Sequence, residues 1–471
     1  MNLTHTPATI LLAVFMLGLA SCTEWLDTAP EDLILADDAL ETEEDMQALL
    51  VSCYDVLANI YDGDVQLINE LRGDNVAEPR SNLDLQAIYA RETIRWTSYV
   101  GGMNREFYYP VLRAHALLDA FNFVEGISPE TEQRMRAEAR FIRAFCFWGA
   151  VKIWAQPYGY TSDNSHLGIP IPDRLSDEVF PRATVAEVYN QIETDLQFAI
   201  DNLPQENGNY ATQDAAKALL AQVKFLQLDF EGAANLATEV IGSERYSLEV
   251  PDSVEAFIHL RLPNDMVSPE NIFGILSNPS ISDSRNDRFR DWWIPELSPE
   301  LTLDPLLWQW YNQIAVGSSE DNRLQWLEYQ PAEGKLWLKR FSDYDYYNVS
   351  LIHLSQMMLI RAECYGELGN NLDVAIDDIN AIRARAGMES DVYFLNDQSS
   401  AEDIVEAARM EYRKETLGMG LWVEQLQRRG TMGEDIFIRN APWDCDGMAL
   451  QFAANEGNVE GFVFNNVGGC N

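Results

Sequence analysis

Aromatic side chains that could contact a ligand are concentrated in one stretch of the sequence. A flat indole ring offers an apolar face on which the C–H face of a sugar can stack, and an aromatic contact contributes about 0.5–1.5 kcal/mol beyond area burial. Six of the twelve tryptophans fall between residues 292 and 337, namely Trp292, Trp293, Trp308, Trp310, Trp326 and Trp337. We select Trp292, Trp293 and Trp326 as candidate ligand contacts. The alternative is that such rings fill a core beneath long loops.

A second candidate group combines polar and aromatic residues. Arg72, Asp74 and Asn75 occur together in one short segment, and Trp96 follows about twenty residues later. Guanidinium, carboxylate and amide groups are suited to hydrogen bonds with sugar hydroxyls. We therefore add these four residues to the candidate ligand contacts. The alternative is that Arg72 and Asp74 form an ordinary ion pair within a loop.

The sequence contains no motif for a metal, a phosphate or a cofactor. The patterns C-x-x-C, H-E-x-x-H and G-x-x-x-x-G-K-[ST] do not occur, and the five histidines are scattered along the chain. We therefore expect no metal site, no cofactor and no enzymatic activity. A glycosidase is the remaining enzymatic alternative, because it needs only two carboxylates at a defined separation.

The five cysteines after Cys22 fall into two groups. Cys53, Cys146 and Cys364 lie in apolar helical stretches and are expected to be buried thiols. Cys445 and Cys470 lie in the C-terminal segment, which is rich in Gly and Asn, and in an exported protein they could form a disulfide.

The N-terminal segment has the composition of an export signal. Residues 1–21 contain no Asp, Glu, Lys or Arg, and residues 10–19 form an apolar run too short to span a bilayer. The residues just before Cys22 resemble the lipobox of bacterial lipoproteins, although Lys and Arg are missing from residues 1–7. This resemblance implies acylation of Cys22 after removal of residues 1–21. The alternative is an ordinary secretory signal.

The charge of the chain limits its partners. The net charge is −42, from 75 acidic and 33 basic residues. Such a surface repels phosphate backbones, so we expect no nucleic-acid partner.

Helical periodicity dominates the rest of the chain. Apolar residues recur at helical spacing in residues 46–60, 106–123, 129–154, 184–200, 215–228, 230–241, 351–368, 372–386 and 401–417. The short pairs 215–228/230–241 and 351–368/372–386 each bury an apolar face only by stacking on neighbours, as in tetratricopeptide repeats. Four charged residues on predicted helices, Arg361, Glu363, Arg383 and Arg385, are expected to form ion pairs between helices.

One segment interrupts this pattern. Residues 245–347 carry eight prolines and little periodicity. We expect a signal peptide at 1–21, a lipidated leader at 22–38, and one helical-repeat domain at 39–471 with an irregular ligand-binding insertion at about 245–347.

Several motifs in order resemble the SusD/RagB family of nutrient-binding lipoproteins of Bacteroidetes. The resemblance is strongest in residues 22–30, 137–145, 182–189, 215–248, 358–365 and 379–387. The chain departs from the family at residues 411–430, which lack the usual His-Arg-Trp-Phe-Asp segment, and in its Cys-bearing C-terminal tail.

The resemblance implies fold, location and partners. It implies a mainly α fold in which tetratricopeptide-like helix pairs form a right-handed scaffold with long irregular insertions, and a polar contribution to the binding surface from the loop at residues 72–75. It further implies a lipid-anchored protein on the outer surface of the outer membrane, which passes an oligosaccharide or polysaccharide to a SusC-like TonB-dependent barrel. The alternatives are a RagB-type member that binds peptides or glycoproteins, and a repeat scaffold that binds only proteins.

Overall fold

The structure is a computed structural model, and it describes eight stretches of the chain. They are residues 40–172, 180–249, 267–276, 287–293, 300–308, 321–341, 348–388 and 393–470. The predicted signal peptide, the leader with Cys22, and Trp310 lie outside these residues.

The described residues contain thirteen α-helices. They are α1 Glu43–Ile60, α2 Asp64–Arg72, α3 Leu83–Ala90, α4 Ser98–Ala120, α5 Pro129–Trp154, α6 Val185–Asn202, α7 Gln213–Leu226, α8 Phe230–Ile241, α9 Asp287–Trp293, α10 Leu354–Leu368, α11 Leu372–Arg385, α12 Ala401–Glu415 and α13 Trp422–Thr431.

Short strands in this part of the chain form four two-stranded antiparallel sheets, in which β1 pairs with β2, β3 with β6, β4 with β5 and β7 with β8. Their bounds are β1 Leu167–Pro170, β2 Arg182–Thr184, β3 Asn271–Ile275, β4 Leu327–Gln330, β5 Lys335–Leu338, β6 Val349–His353, β7 Phe437–Ile438 and β8 Ala441–Pro442.

Local capping sets where several helices begin. The Ser128 hydroxyl accepts a hydrogen bond from the Thr131 backbone N–H at the start of α5, as the sequence Ser128-Pro129 predicts. Thr184 and Glu187 form a capping box at the start of α6, where each side chain accepts a bond from the other's backbone. These starts are confirmed because they depend only on neighbouring residues.

Stacked helix pairs form the scaffold. Helix α7 packs on α8, α8 on α10, and α10 on both α11 and α12. Small residues at the α7–α8 contact, among them Ala218, Ala221, Ala233 and Ala237, are fully buried and allow the helix axes to approach closely. The predicted mainly α, tetratricopeptide-like fold is confirmed.

The prediction of a helix from residue 351 is wrong at its start. Residues 351–353 belong to β6, and α10 begins only at Leu354. The register of β6 against β3 places Ile352 opposite Phe273, so a distant strand decides the local structure here. This pairing also ties the segment 245–347 to the helical scaffold.

Ion pairs between helices are confirmed for all four residues expected to form them. Arg361 pairs with Asp378 at 2.7 Å, Glu363 with Arg409 at 2.6 Å, and Arg383 with Glu411 at 2.9 Å. Arg385 pairs with both Glu270 and Glu415. Because these groups are largely buried, loss of one partner would leave an uncompensated charge.

Candidate functional site

An open groove of about 320 Å³ lies where the first turn of α4 meets the loop before it and the C-terminal segment 453–455. Its lining includes Arg95, Trp96, Ser98, Gly102, Arg105 and Asn455. Within the described chain, Trp96 is the one member of the predicted ligand contacts that lines this groove.

Trp96 is 78% exposed. A tight turn fixes the backbone on both sides of it: Thr97 N–H donates to the Ile94 carbonyl, and the Thr97 hydroxyl accepts from Ile94 N–H, at 2.9 and 3.0 Å. A large apolar side chain left in water forgoes burial worth about 1.5–3 kcal/mol. An exposed tryptophan beside a groove is therefore suited to contact a ligand.

The C-terminal segment forms one wall of the groove. Ala454 N–H donates to the Arg95 carbonyl at 3.0 Å, and Gln451 N–H donates to the Thr93 hydroxyl at 3.1 Å. Gly101 permits this close approach, because a Cβ atom there would lie 2.9 Å from the Ala453 Cβ. The wall is thus attached directly to the loop that carries Trp96.

Two exposed guanidinium groups line the same groove. Arg95 stacks over the Phe464 ring, 4.0 Å from its centroid. Arg105 lies on α4, about one turn after Gly101 and Gly102. Burial raises the pKa of the nearby Glu456 carboxyl, and the positive charge of Arg105 opposes that rise.

The predicted contacts at residues 72–75 do not form a ligand surface. Arg72 is 1% exposed and donates through Nε to the Met448 carbonyl at 3.0 Å, while burial lowers its pKa to about 10. Asn75 is buried, and its Oδ1 accepts from Arg413 Nε at 3.0 Å. Asp74 accepts from Arg413 Nη2 at 2.9 Å and from Trp422 Nε1 at 3.0 Å. The prediction is wrong for Arg72 and Asn75, and the alternative of an Arg72–Asp74 pair is wrong as well.

The tryptophans of residues 292–337 also differ from the prediction. Trp293 is 2% exposed and Trp326 is 1% exposed, so neither ring can act as an exposed platform. The Arg340 guanidinium covers the Trp326 ring at 4.2 Å. Trp292 is half-buried and packs against the core. The alternative of core packing therefore describes Trp293 and Trp326.

Sequence reasoning missed Arg95, Arg105 and Asn455. Arg95 is adjacent to Trp96 in the sequence, and Arg105 is brought back to it by α4. Asn455 is more than 350 residues away, so no local pattern relates it to Trp96. Only the packing of the C-terminal segment brings the two together.

The structure joins Cys445 and Cys470 in a disulfide, 25 residues apart in the chain. The segment so closed contains the groove wall at 453–455. Cys53, Cys146 and Cys364 are buried free thiols, as expected, and burial raises the pKa of Cys53 to about 12.

Two family models match this chain. One describes SusD-like proteins as starch-binding and associating with the outer membrane, and it matches residues 24–225. The other describes the SusD family and matches residues 334–424. The chain belongs to the SusD/RagB family.

Relatives within the family are distant. SusD-like protein P38 of Formosa agariphila is 22% identical over 85% of this chain and 87% of its own length. SusD-like protein P25 of the same organism is 26% identical, over 51% of this chain and 47% of its own length. A SusD superfamily structure from Bacteroides thetaiotaomicron superposes with a TM-score of 0.77 at 20% identity, covering 90% of this chain and all of that one. This last likeness shows the fold.

Proteins of the SusD/RagB family bind carbohydrate in nutrient uptake and associate with the outer membrane. In the described part of this member, no helix has the length and apolar character needed to cross a bilayer. Across the same residues, no group of three His, Cys, Asp or Glu side chains is placed to hold a metal ion.

Proposed function

We propose that this chain captures oligosaccharides or polysaccharides at the cell surface through the Trp96 groove. The observation that carries the proposal is the exposed Trp96 side chain beside hydroxyl, amide and guanidinium groups. An aromatic plane with hydrogen-bonding groups at its edge matches a sugar ring, which has an apolar C–H face and a rim of hydroxyls. Stacking on the ring contributes about 0.5–1.5 kcal/mol beyond area burial. Together with the hydrogen bonds at its edge, we expect affinities in the micromolar to millimolar range, about −4 to −8 kcal/mol.

Replacing Trp96 tests the proposal. We expect Trp96→Ala to weaken glycan binding about tenfold or more, because stacking against the ring is lost while the fold keeps its core. The measurement is isothermal titration calorimetry with residues 23–471 and the best ligand from a glycan array. Phe437→Ala is the matched control, since Phe437 is an exposed aromatic residue that does not line the groove. Equal affinities for Trp96→Ala and the unaltered chain would refute the assignment of this groove.

The proposal extends to anchoring and delivery. Acyl chains on Cys22 would hold the protein at the outer membrane, since each buried methylene contributes about 0.8 kcal/mol. A SusC-like TonB-dependent barrel would then receive the glycan. The family's association with the outer membrane supports both the anchoring and the delivery. Cys22→Ser should release the protein from membranes, and the unaltered protein should co-purify with the barrel from detergent extracts.

A further inference from the structure

The charge of the Trp96 groove is opposite to that of the molecule. Basic residues are scarce in this chain, at 33 against 75 acidic residues, yet two arginines line this one groove. A neutral sugar needs no such concentration of positive charge. The positive charge of the two guanidinium groups therefore indicates a property of the ligand.

Most other arginines of the described chain are already engaged. Thirteen of them form ion pairs with Asp or Glu. Others, such as Arg72, Arg182 and Arg439, donate to several backbone carbonyls or amides. These guanidinium groups have structural roles and offer few donors to a ligand.

Arg95 and Arg105 are different. Among the residues that the structure describes, neither guanidinium forms an ion pair or donates a hydrogen bond, and both are exposed. The charge of Arg105 acts on the carboxyl groups of Glu106 and Glu456, but neither lies close enough to pair with it. Asp84, next to the groove residue Ser98 in space, already accepts from Ser98 Oγ and Tyr99 N–H.

We infer that the Trp96 groove selects saccharides that carry an anionic group, either a uronate carboxylate or a sulfate ester. A guanidinium presents paired N–H donors whose geometry matches two oxygens of a carboxylate or sulfate. The Trp96 ring would hold the sugar face while Arg95 and Arg105 bind its anionic substituent. The inference rests on the proposed function, because it concerns the same groove.

Calorimetry with matched ligand pairs tests the inference. The carboxylate arm compares oligogalacturonate with its methyl ester, and the sulfate arm compares carrageenan oligosaccharides with their desulfated form. We expect the anionic member of at least one pair to bind about tenfold more tightly than its neutral counterpart, since hydrogen bonds to charged groups are the stronger ones. The arm that shows the preference identifies the anion.

The double variant Arg95→Gln/Arg105→Gln should abolish that preference while leaving the binding of the neutral member unchanged. Arg136→Gln removes a charge outside the groove and should keep the preference. Equal binding within both pairs, or a preference that survives the double variant, would overturn the inference. If Trp96→Ala weakens the binding of both members of a pair and the arginine changes have no effect, the proposed function stands and the inference about the anionic group fails. Failure of every saccharide to bind would overturn both.

Discussion

At the scale of single residues, the carboxyl group of Asp62 makes the stability of the fold depend on pH. Its carboxyl lies in the connection between α1 and α2, close to Asp64, and 3.6 Å from Arg288 Nε. Burial, together with the charges of Asp64 and Glu106, raises its pKa to about 7, although Arg288 opposes the rise. The folded protein therefore retains a proton on Asp62 that the unfolded chain releases near pH 4.

The sign of the resulting pH dependence follows from that proton. Because the folded pKa is raised, the contribution of Asp62 to stability is full below about pH 4 and is lost as pH rises through about 7. The free energy of unfolding of Asp62→Asn, minus that of the unaltered chain, should therefore increase by about 1–3 kcal/mol as the pH rises from 5 to 8. Urea unfolding at each pH measures the difference. Asp201→Asn, at an exposed carboxylate, should show no such change, and a constant difference for Asp62→Asn would contradict the shift.

Residue types predicted the chemistry of the site better than its location. The sequence predicts Trp96, Trp293 and Trp326 alike as ligand contacts, but of these three only Trp96 is exposed. Composition cannot separate these rings, because burial depends on which elements cover each one. The same holds for Arg72. Its neighbours in the sequence suggest an accessible loop, but its Nε donates to the carbonyl of Met448, which is distant in the sequence.

At the scale of elements, helix α4 shapes the groove. It begins at Ser98, eight residues before the start that periodicity predicts, because Gly101 and Gly102 weaken the helical signal in its first turns. The two glycines face different surroundings. A Cβ atom at Gly101 would collide with Ala453, whereas a Cβ atom at Gly102 would meet nothing within 4 Å.

This difference predicts a block of the groove without damage to the fold. Gly102→Leu should place its side chain in the open groove and weaken glycan binding about tenfold, while free energy of unfolding stays equal or rises by about 0.5–1 kcal/mol. Gly102→Ala, with a smaller side chain, should bind nearly as well as the unaltered chain. Calorimetry and urea unfolding provide the two readouts. Undiminished binding by Gly102→Leu would show that the ligand does not occupy this part of the groove.

The ends of an element could be predicted where they depend on residues adjacent in the sequence. They could not be predicted where they depend on pairing with a distant strand. The starts of α5 and α6 follow from capping residues next to them. The strand at 351–353 follows from pairing with β3, some 80 residues earlier. The groove wall at 453–455 has no helical or strand periodicity of its own, so its position could not be read from the sequence.

At the scale of the whole molecule, the C-terminal tail fastens distant parts of the scaffold together. Leu450 N–H donates to the Ile153 carbonyl at 3.0 Å, and Asn465 Nδ2 donates to the Trp154 carbonyl at 2.9 Å, both at the end of α5. Within the tail, Gly447 N–H donates to the Gly468 carbonyl at 2.8 Å, beside the disulfide. The tail thus carries the groove wall while being attached to α5.

Loss of the Cys445–Cys470 disulfide should therefore affect both stability and binding. Closing a segment of this length contributes about 3 kcal/mol, chiefly by restricting the unfolded chain. Cys445→Ser/Cys470→Ser should lower the free energy of unfolding by about that amount and weaken glycan binding, because residues 453–455 lose one of their attachments. Urea unfolding measures the loss of stability, calorimetry measures the loss of affinity, and amide hydrogen exchange across 446–469 reports on the attachment of the tail. Reduction of the disulfide in the unaltered chain should reproduce the effects of the double variant. If exchange in the tail and glycan affinity both match those of the unaltered chain, the hydrogen bonds to α5 and to the Trp96 loop are sufficient to hold the wall without the covalent link.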